Sequence, residues 1–113
     1  MGLYSRIHAV VATCAACGYK DERVFQFKFA DKRLRDYRVG DPLLWEANVE
    51  GEPGHMRVIT SAFAEACPQC GAEDNRLYQV VIEQDHITAL VNVGDEVNEL
   101  AVFGPDGYRY EDY

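Results

Sequence analysis

Residues 22–30 carry the clearest hydrophobic pattern in the chain. Phe25, Phe27 and Phe29 recur at every second position, with polar or aliphatic residues between them. A period of two places successive side chains on opposite faces of a strand. We therefore predict a strand over 22–30 whose aromatic face enters the core. The alternative is an aromatic platform that stacks on a ligand or a base.

Shorter apolar runs and turn-forming residues divide the rest of the chain. We predict strands at residues 7–13, 43–46, 56–63, 76–83, 86–93, 100–103 and 108–110. Glycine, proline and charged clusters predict a charged turn at 31–36, a turn at 39–42, a loop at 48–55, and turns at 84–85 and 104–107 that each close a hairpin.

No long stretch repeats with the period near 3.6 that defines an amphipathic helix. Only residues 31–37 and 61–66 are candidates for a single helical turn. The predicted fold is therefore mostly β, built from antiparallel hairpins, with little helix and with Trp45 largely buried. At 113 residues, of which 48% are hydrophobic and 27% charged, the chain fits a single globular domain spanning residues 1–113.

The apolar run that precedes the first cysteine, residues 9–12, is too short to span a membrane. No basic segment leads into a long apolar one, as it does in a signal peptide. We therefore expect a cytoplasmic protein. In that compartment thiols stay reduced, and paired cysteines favour metal binding over disulfides.

Two CxxCG motifs contain all the cysteines of the chain: Cys14-Ala15-Ala16-Cys17-Gly18 and Cys67-Pro68-Gln69-Cys70-Gly71. A CxxC turn brings two thiolates close enough to share one tetrahedral ion, and the glycine permits the positive φ that a tight turn can require. Four thiolates leave no coordination position open, which is typical of a structural site. We predict one structural zinc ion per chain, bound by Cys14, Cys17, Cys67 and Cys70.

Three other chemistries remain open for these cysteines. Four thiolates also suit iron, as in a rubredoxin-like site. Two disulfides, or a thiol redox pair, are the remaining alternatives. A thioredoxin-like redox motif is expected to open a helix beside a βαβ pattern, and no amphipathic helix follows either motif.

The paired motifs, Cys14/Cys17/Gly18 and Cys67/Cys70/Gly71, each followed by a strand-like segment, resemble the knuckles of the zinc-ribbon superfamily. The chain is similar to small bacterial proteins with such knuckles. The resemblance covers about a third of the chain and implies a structural zinc. One departure is the insert of 49 residues between Cys17 and Cys67, where a compact ribbon has roughly 15–20. That insert must carry structure of its own.

A shift of 53 residues superposes the two motifs and several residues that follow them. Asp21, Arg23 and Gln26 then fall on Asp74, Arg76 and Gln79, and residues 39–41 recur one position out of step at 93–95. We expect either two equivalent knuckle–strand units, related by a pseudo-two-fold axis at the metal, or the ordinary likeness of any two such units.

The net charge of −8 is unevenly distributed. Residues 1–38 contain eight Lys/Arg and four Asp/Glu, a net +4, whereas residues 39–113 contain three and fifteen, a net −12. Overall acidity disfavours nucleic-acid binding, because attraction to phosphates supplies most of that affinity. The basic segment 20–38 either pairs with the acidic remainder of its own chain or meets an acidic partner.

No catalytic constellation is present, so we expect a protein that is not an enzyme. His8, His55 and His86 lie outside ligand spacing from the cysteines, and we expect them to be structural or exposed. The tyrosine-rich segment 108–113 is either part of an interface or a frayed tail.

These observations favour a non-enzymatic protein-interaction module stabilised by zinc, for example an acidic inhibitor, immunity or adaptor protein with a protein partner. One alternative is a nucleic-acid-binding zinc ribbon that acts through segment 20–38. The other alternative is a thiol redox switch.

Overall fold

The computed structural model describes residues 4–11, 13–31, 33–46, 49–94, 103–104 and 106–112. Strands account for 49% of these residues and helix for 1%, which confirms the predicted β-rich class. The strands are β1 (Tyr4–Ala9), β2 (Arg23–Phe27), β3 (Ala30–Asp31), β4 (Arg33–Tyr37), β5 (Val49–Glu50), β6 (Arg57–Ala64), β7 (Leu77–Glu83), β8 (His86–Gly94) and β9 (Tyr108–Tyr110).

Seven strands form the main sheet, in the order β4-β1-β2-β6-β7-β8, with β9 paired to β6 beside this path. All the pairings of this sheet are antiparallel except that of β1 with β4. The short strands β3 and β5 form a separate two-stranded sheet, which gives the insert between the cysteine motifs its own structure. This arrangement joins the hairpins β1–β2 and β6–β7 side by side.

One edge of β6 is shared by two strands. β2 pairs with β6 at residues 62–64, and β9 pairs with it at residues 58–60, while β7 occupies the opposite edge. The predicted strand at 108–110 is thus confirmed, and these residues are hydrogen-bonded to β6. From the other arm of the predicted hairpin, Phe103 is not in a strand, and residues 100–102 lie outside the described residues, as do Pro105 and Tyr113.

Alternating apolar side chains of β2, β6 and β7 build the main core. Phe25, Phe27 and Phe29 are all nearly inaccessible to solvent, which confirms the predicted aromatic face. Phe25 packs edge-on against Tyr78, with ring centroids 4.8 Å apart. Burial of such rings from both hairpins is the main hydrophobic stabilisation of the fold.

A second aromatic group surrounds Phe29. Its ring lies 5.4 Å from that of Trp45, 5.1 Å from Tyr108 and 6.4 Å from Tyr110, measured between centroids. Trp45 is only partly buried, although a largely buried position was predicted. The group anchors β9 and the insert to the end of β2.

Of the charged residues 31–36, Asp31 belongs to β3 and residues 33–36 belong to β4, so they form neither the predicted turn nor a helical turn; Lys32 lies outside the described residues. The charge of Asp36 is compatible with a strand because it pairs across to β1, where Arg6 contacts it at 3.0 Å. The strand predicted over 22–30 ends at Phe27, since Phe29 lies in a bend and Ala30 has a φ of 59°.

Residues 43–46, predicted as a strand, form none. Their backbone bonds go to several different segments: the Leu43 N–H donates to Asp85, and the Leu44 carbonyl accepts from Asp31. Separate bonds of this kind do not build a ladder. The predicted loop at 48–55 contains the short strand β5, and residues 61–64, a candidate helical turn, lie within β6.

The remaining strand predictions are confirmed with shifted ends. The first strand runs from Tyr4 to Ala9 instead of over 7–13, where Ala12 lies outside the described residues. Residues 76–83 and 86–93 form the hairpin β7–β8, and the turn residues Gln84 and Asp85 have φ values of 49° and 64°. Two positive φ angles define the type I′ turn that matches strand twist.

Candidate metal centre

The first cysteine motif forms a tight turn between β1 and β2, which we call knuckle 1 (residues 14–19). The Gly18 N–H donates to the Cys14 carbonyl at 2.9 Å, and the Cys14 N–H donates to the Tyr19 carbonyl at 2.9 Å. Gly18 has a φ of 78°, in the left-handed region that favours glycine. The turn therefore places both thiols on its inner side, as CxxCG predicts.

The second motif forms an equivalent turn between β6 and β7, which we call knuckle 2 (residues 67–72). The Gly71 N–H donates to the Cys67 carbonyl at 2.8 Å, and the Cys67 N–H donates to the Ala72 carbonyl at 2.9 Å. Gly71 has a φ of 77°. Every bond has its counterpart 53 residues earlier, so the two knuckles share one backbone conformation. The predicted pseudo-two-fold axis stays a prediction. The predicted recurrence of residues 39–41 at 93–95 includes Asp95, which lies outside the described residues.

The two knuckles bring their four sulfur atoms together. The Sγ atoms all lie within 4.8 Å of one another, and the pairs Cys14–Cys70 and Cys17–Cys67 are each 3.7 Å apart. Four bonds of about 2.3 Å to a tetrahedral ion place the ligand atoms about 3.8 Å apart. A disulfide requires about 2.05 Å, so these thiols are not bridged to each other. The donor set fits one metal ion.

Each knuckle contributes one buried and one exposed cysteine. Cys14 and Cys67 are 5% and 3% exposed, whereas Cys17 and Cys70 are exposed. The site thus lies at the protein surface, with two of its four cysteines buried.

The pKa values of the thiols are spread apart by their surroundings. Backbone N–H groups of Cys17 and Ala16 lower the pKa of the Cys14 thiol to about 6. Burial opposes ionisation of Cys67, but the N–H groups of Cys70 and Gln69 outweigh it and lower its pKa.

Cys70 behaves in the opposite way. The Ala72 N–H favours its thiolate, but the neighbouring thiols, Cys17 first, and burial outweigh that bond and raise the pKa of Cys70 to about 11. Thiolates this close repel one another, and a divalent cation bound between them would offset that repulsion.

A buried polar group lies beside the knuckles. We call Arg23, Asp74, Arg76 and Tyr78 the bridging network. Asp74 accepts from Arg76 Nε at 2.9 Å, Arg76 Nη2 at 2.8 Å and the Tyr78 hydroxyl at 2.6 Å, and Arg23 Nη1 lies 3.4 Å away. Burial opposes ionisation of Asp74, but the bonds from Arg76 and Tyr78 prevail and lower its pKa to about 2.

The prediction from sequence did not identify this network as part of the site. The internal repeat contained a signal for it, because Arg23 and Arg76 occupy the same position after each knuckle. The ion pair of Arg23 with Asp74 spans 51 residues of sequence, which no local pattern reveals.

The histidines do not approach the sulfur cluster among the described residues. His8 contacts Asp36 at 2.9 Å and Glu22 at 3.2 Å, and His86 contacts the Gln84 carbonyl at 2.9 Å. His55 stacks on the Tyr110 ring, 3.5 Å between centroids, and its Nδ1 lies 2.5 Å from Asp112. Each has a partner that explains its position without a metal.

Several side chains of the basic segment are paired with carboxylates of the same chain. The pairs are Arg23–Asp74 at 3.4 Å, Arg35–Glu46 at 2.9 Å and Arg38–Glu22 at 3.0 Å. Lys20 and Lys28 have no ion pair among the described residues.

Comparison with known proteins assigns the chain to no family. No protein-family model matches it, and neither the curated proteins nor the solved structures show a significant match. The protein is therefore defined by its structure, a β-rich fold with a metal-binding cluster of four cysteines. In the part of the chain that the structure describes, there is no helix with the length and apolarity needed to cross a membrane.

Proposed function

We propose that the protein is a non-enzymatic protein-interaction module whose fold is held together by one structural zinc ion. The observation that carries the proposal is the closed set of four sulfur atoms at 3.7 to 4.8 Å from one another. Such a set leaves no position for a substrate or a reactive water, so the metal acts as a scaffold. The proposal places the protein in a reducing compartment such as the cytoplasm, where the thiols stay available.

Zinc is proposed over iron because structural sites with four thiolates on two CxxC turns are typical of zinc. Elemental analysis of the purified protein tests this directly. We expect one zinc per chain and no absorption in the visible range. A coloured protein that contains one iron per chain would overturn the choice of metal while leaving the ligands unchanged.

The knuckle geometry supports placing the protein in the zinc-ribbon class, with two departures from a compact ribbon. The knuckles lie on neighbouring hairpins of a seven-stranded sheet, and the insert between them adds β3, β4 and β5. The proposed class therefore concerns the site and its two hairpins, and the insert is an elaboration of them.

The proposed partner is a protein with a basic surface, because the carboxylates that this chain exposes are in excess. Residues 39–113 carry a net −12, and the Glu52 side chain is 77% exposed. Charge of this kind steers encounter with an oppositely charged partner and raises the rate of association. An inhibitor, immunity or adaptor protein that covers a basic partner fits this description.

Capture from the native host tests the proposed partner. We expect a basic protein to co-purify stoichiometrically with the wild type, and to be lost when Glu52, Glu73 and Glu83 are all replaced by Gln. The matched control replaces Lys20 and Lys28 by Gln, which changes exposed charge of the other sign and retains the partner. Equal recovery with both variants, or no stoichiometric partner at all, would contradict the proposal.

The pairing of the basic segment weighs against the nucleic-acid alternative, because Arg23, Arg35 and Arg38 are already neutralised by carboxylates. Binding to single- and double-stranded DNA and RNA should be absent at low salt. Binding with a steep salt dependence would restore that alternative, since each phosphate contact releases a counterion.

The exposure of residues Cys17 and Cys70 keeps the redox alternative testable. Thiol titration with and without a chelator separates the two functions. A structural zinc masks all four thiols until the chelator removes it. A redox switch gives thiols that react, or disulfides that form, without any metal being displaced.

A further inference from the structure

The bridging network links the two knuckles without using a sulfur atom. Arg23 lies after knuckle 1, yet its Nη2 donates to the Glu65 carbonyl before knuckle 2 at 2.8 Å, and its Nη1 pairs with Asp74 after knuckle 2. The Arg23 guanidinium therefore contacts the residues on both sides of knuckle 2, which we call its flanks.

Arg76 makes the reverse connection. It lies after knuckle 2, and its Nη2 donates to the carbonyl of Thr13, directly before knuckle 1, at 3.0 Å. It also donates two hydrogen bonds to the Asp74 carboxylate, from Nε at 2.9 Å and from Nη2 at 2.8 Å. The fork geometry of a guanidinium fixes direction as well as distance, so the two flanks have little freedom to move apart.

Burial makes this network strong. The side chains of Arg23 and Asp74 are only 1% and 5% exposed. Charged pairs at such depth are weakly screened, and removal of one partner leaves an uncompensated charge. The Tyr78 hydroxyl adds a further bond to Asp74 at 2.6 Å. The pairing of Arg23 with Asp74 is thus shielded from solvent, whereas the bond from Arg76 to Thr13 lies at the surface.

We propose that Arg23, Asp74 and Arg76 are the positioning residues of the metal centre, which hold the two knuckles together and arrange the four thiols before a metal ion arrives. This inference rests on the proposed zinc site. It accounts for the alignment of two hairpins some 50 residues apart in sequence, whose sulfur atoms lie 3.7 Å apart in two cross-knuckle pairs. Polar groups that orient ligands without touching the metal raise its affinity by about 10- to 100-fold.

The test compares zinc affinity in two neighbouring charge substitutions. Asp74→Asn removes the carboxylate that both arginines share. Glu73→Gln removes an equal charge from an exposed residue that lines a surface cleft together with Cys14 and Asp74, and that has no hydrogen bond or ion pair with a described residue. In competition with a chromophoric zinc chelator, Asp74→Asn should weaken binding about 10- to 100-fold. Glu73→Gln should bind as the wild type does.

A second measurement separates positioning from general stability. Each protein is melted in the metal-free and the zinc-loaded form. A positioning role reduces the rise in melting temperature on zinc binding in Asp74→Asn, whereas a purely structural role lowers both melting temperatures and leaves that rise unchanged. Ile87→Val, which creates a small cavity in the main core, is the control for a loss of stability unconnected with the metal site.

Arg76→Lys covers the case in which Asp74→Asn does not fold. Arg76 is 26% exposed, and lysine keeps its charge but loses the forked hydrogen bonds to Asp74 and Thr13. We expect a folded protein that loses zinc faster than the wild type does. If the wild type binds zinc and both Asp74→Asn and Arg76→Lys bind it equally well, the positioning role is wrong. If the wild type binds no metal, the proposed metal centre itself is wrong.

Discussion

The two knuckle glycines show how single residues shape the site. Gly18 and Gly71 have φ values of 78° and 77°, and a Cβ at either position would meet no atom within 4 Å. Gly51 also has a positive φ, 79°, but a Cβ there would collide with the Phe29 ring. Backbone strain alone therefore acts at the knuckles, whereas strain and a clash with the core act together at Gly51.

We predict that Gly18→Ala and Gly71→Ala each lower the free energy of unfolding by about 1 kcal/mol, the cost of a left-handed conformation with a Cβ. Gly51→Ala should cost more, about 3 kcal/mol, because the buried ring must also move. Denaturant unfolding of the three variants measures this order. If a knuckle variant loses as much free energy of unfolding as Gly51→Ala does, a Cβ at the knuckle glycine must meet other atoms, and the described surroundings of the knuckle are wrong.

The contribution of His55 to stability depends on pH, and neighbouring carboxylates determine that dependence. Hydrogen bonding to Asp112 raises the pKa of His55 above its usual 6.5, with further contributions from Glu52, and the same bond lowers the pKa of Asp112. Because the folded-state pKa of His55 is raised, its contribution to stability is complete below about 6.5. It is lost as the pH rises through the folded-state value.

NMR titration of the His55 ring tests this prediction. In the wild type the ring should titrate above 6.5, and Asp112→Asn should move that pKa downward. Asp106→Asn, an exposed carboxylate in the preceding turn, is the control and should leave the titration unchanged. An identical titration in the wild type and Asp112→Asn would mean that the 2.5 Å contact between His55 and Asp112 does not form in solution.

At the scale of elements, the type I′ turn of the β7–β8 hairpin contains two residues with positive φ, Gln84 and Asp85. Neither is the favoured glycine, and asparagine tolerates the left-handed region better than glutamine does. Asp85 has a second task, since its carboxylate accepts the Gly54 N–H at 3.0 Å. The two turn positions should therefore respond differently to substitution.

We predict that Gln84→Asn stabilises the protein by about 0.5 kcal/mol, through better turn geometry. Asp85→Gly should give no gain, because relief of the turn is offset by the lost bond to Gly54. Thermal unfolding of both variants checks the difference. A larger gain from Asp85→Gly than from Gln84→Asn would contradict this assignment of roles.

Local patterns in the sequence predicted the strands whose neighbours are close in sequence. The alternating phenylalanines identified β2, and the two-residue turn at 84–85 identified the β7–β8 hairpin. Charged residues hid β4, because the ion pairs of Asp36 with Arg6 and of Arg35 with Glu46 arise only in the folded chain. The pairings of β2 and β9 with one edge of β6 join distant segments, and nothing local in the sequence specifies them.

The same division holds for the candidate site. The CxxCG motifs identified Cys14, Cys17, Cys67 and Cys70, because their spacing is a property of neighbouring residues. The four cysteines converge as predicted, in an arrangement that can hold a metal ion, whereas their role as ligands and the identity of the metal stay predictions. The bridging network depends on tertiary contact, so the sequence did not define it.

At the scale of the whole molecule, the protein is β-rich and acidic, and its four-cysteine cluster lies between the two central hairpins. Anything that binds only the folded state stabilises it, by about 4 kcal/mol when its free concentration is 1,000-fold above Kd. A metal ion bound at the proposed site would therefore add a large fraction of the stability expected of a domain this size.

We predict that Cys17→Ser removes this stabilisation and with it the dependence of the melting temperature on zinc. Cys17 is exposed, so its replacement costs little packing, and the loss reports the metal. Ala16→Ser, at the adjacent exposed position, is the matched control. It should keep both the stabilisation by zinc and the zinc dependence of the melting temperature. A Cys17→Ser protein that lacks zinc yet melts at the wild-type temperature would contradict a structural role for the metal.

Native mass spectrometry of the purified protein, combined with thiol titration, tests the central claim most directly. We expect the mass of the chain plus one zinc ion, with all four thiols unreactive until a chelator removes the metal. A metal-free chain whose mass is lower by four hydrogens, as two disulfides require, would contradict the account.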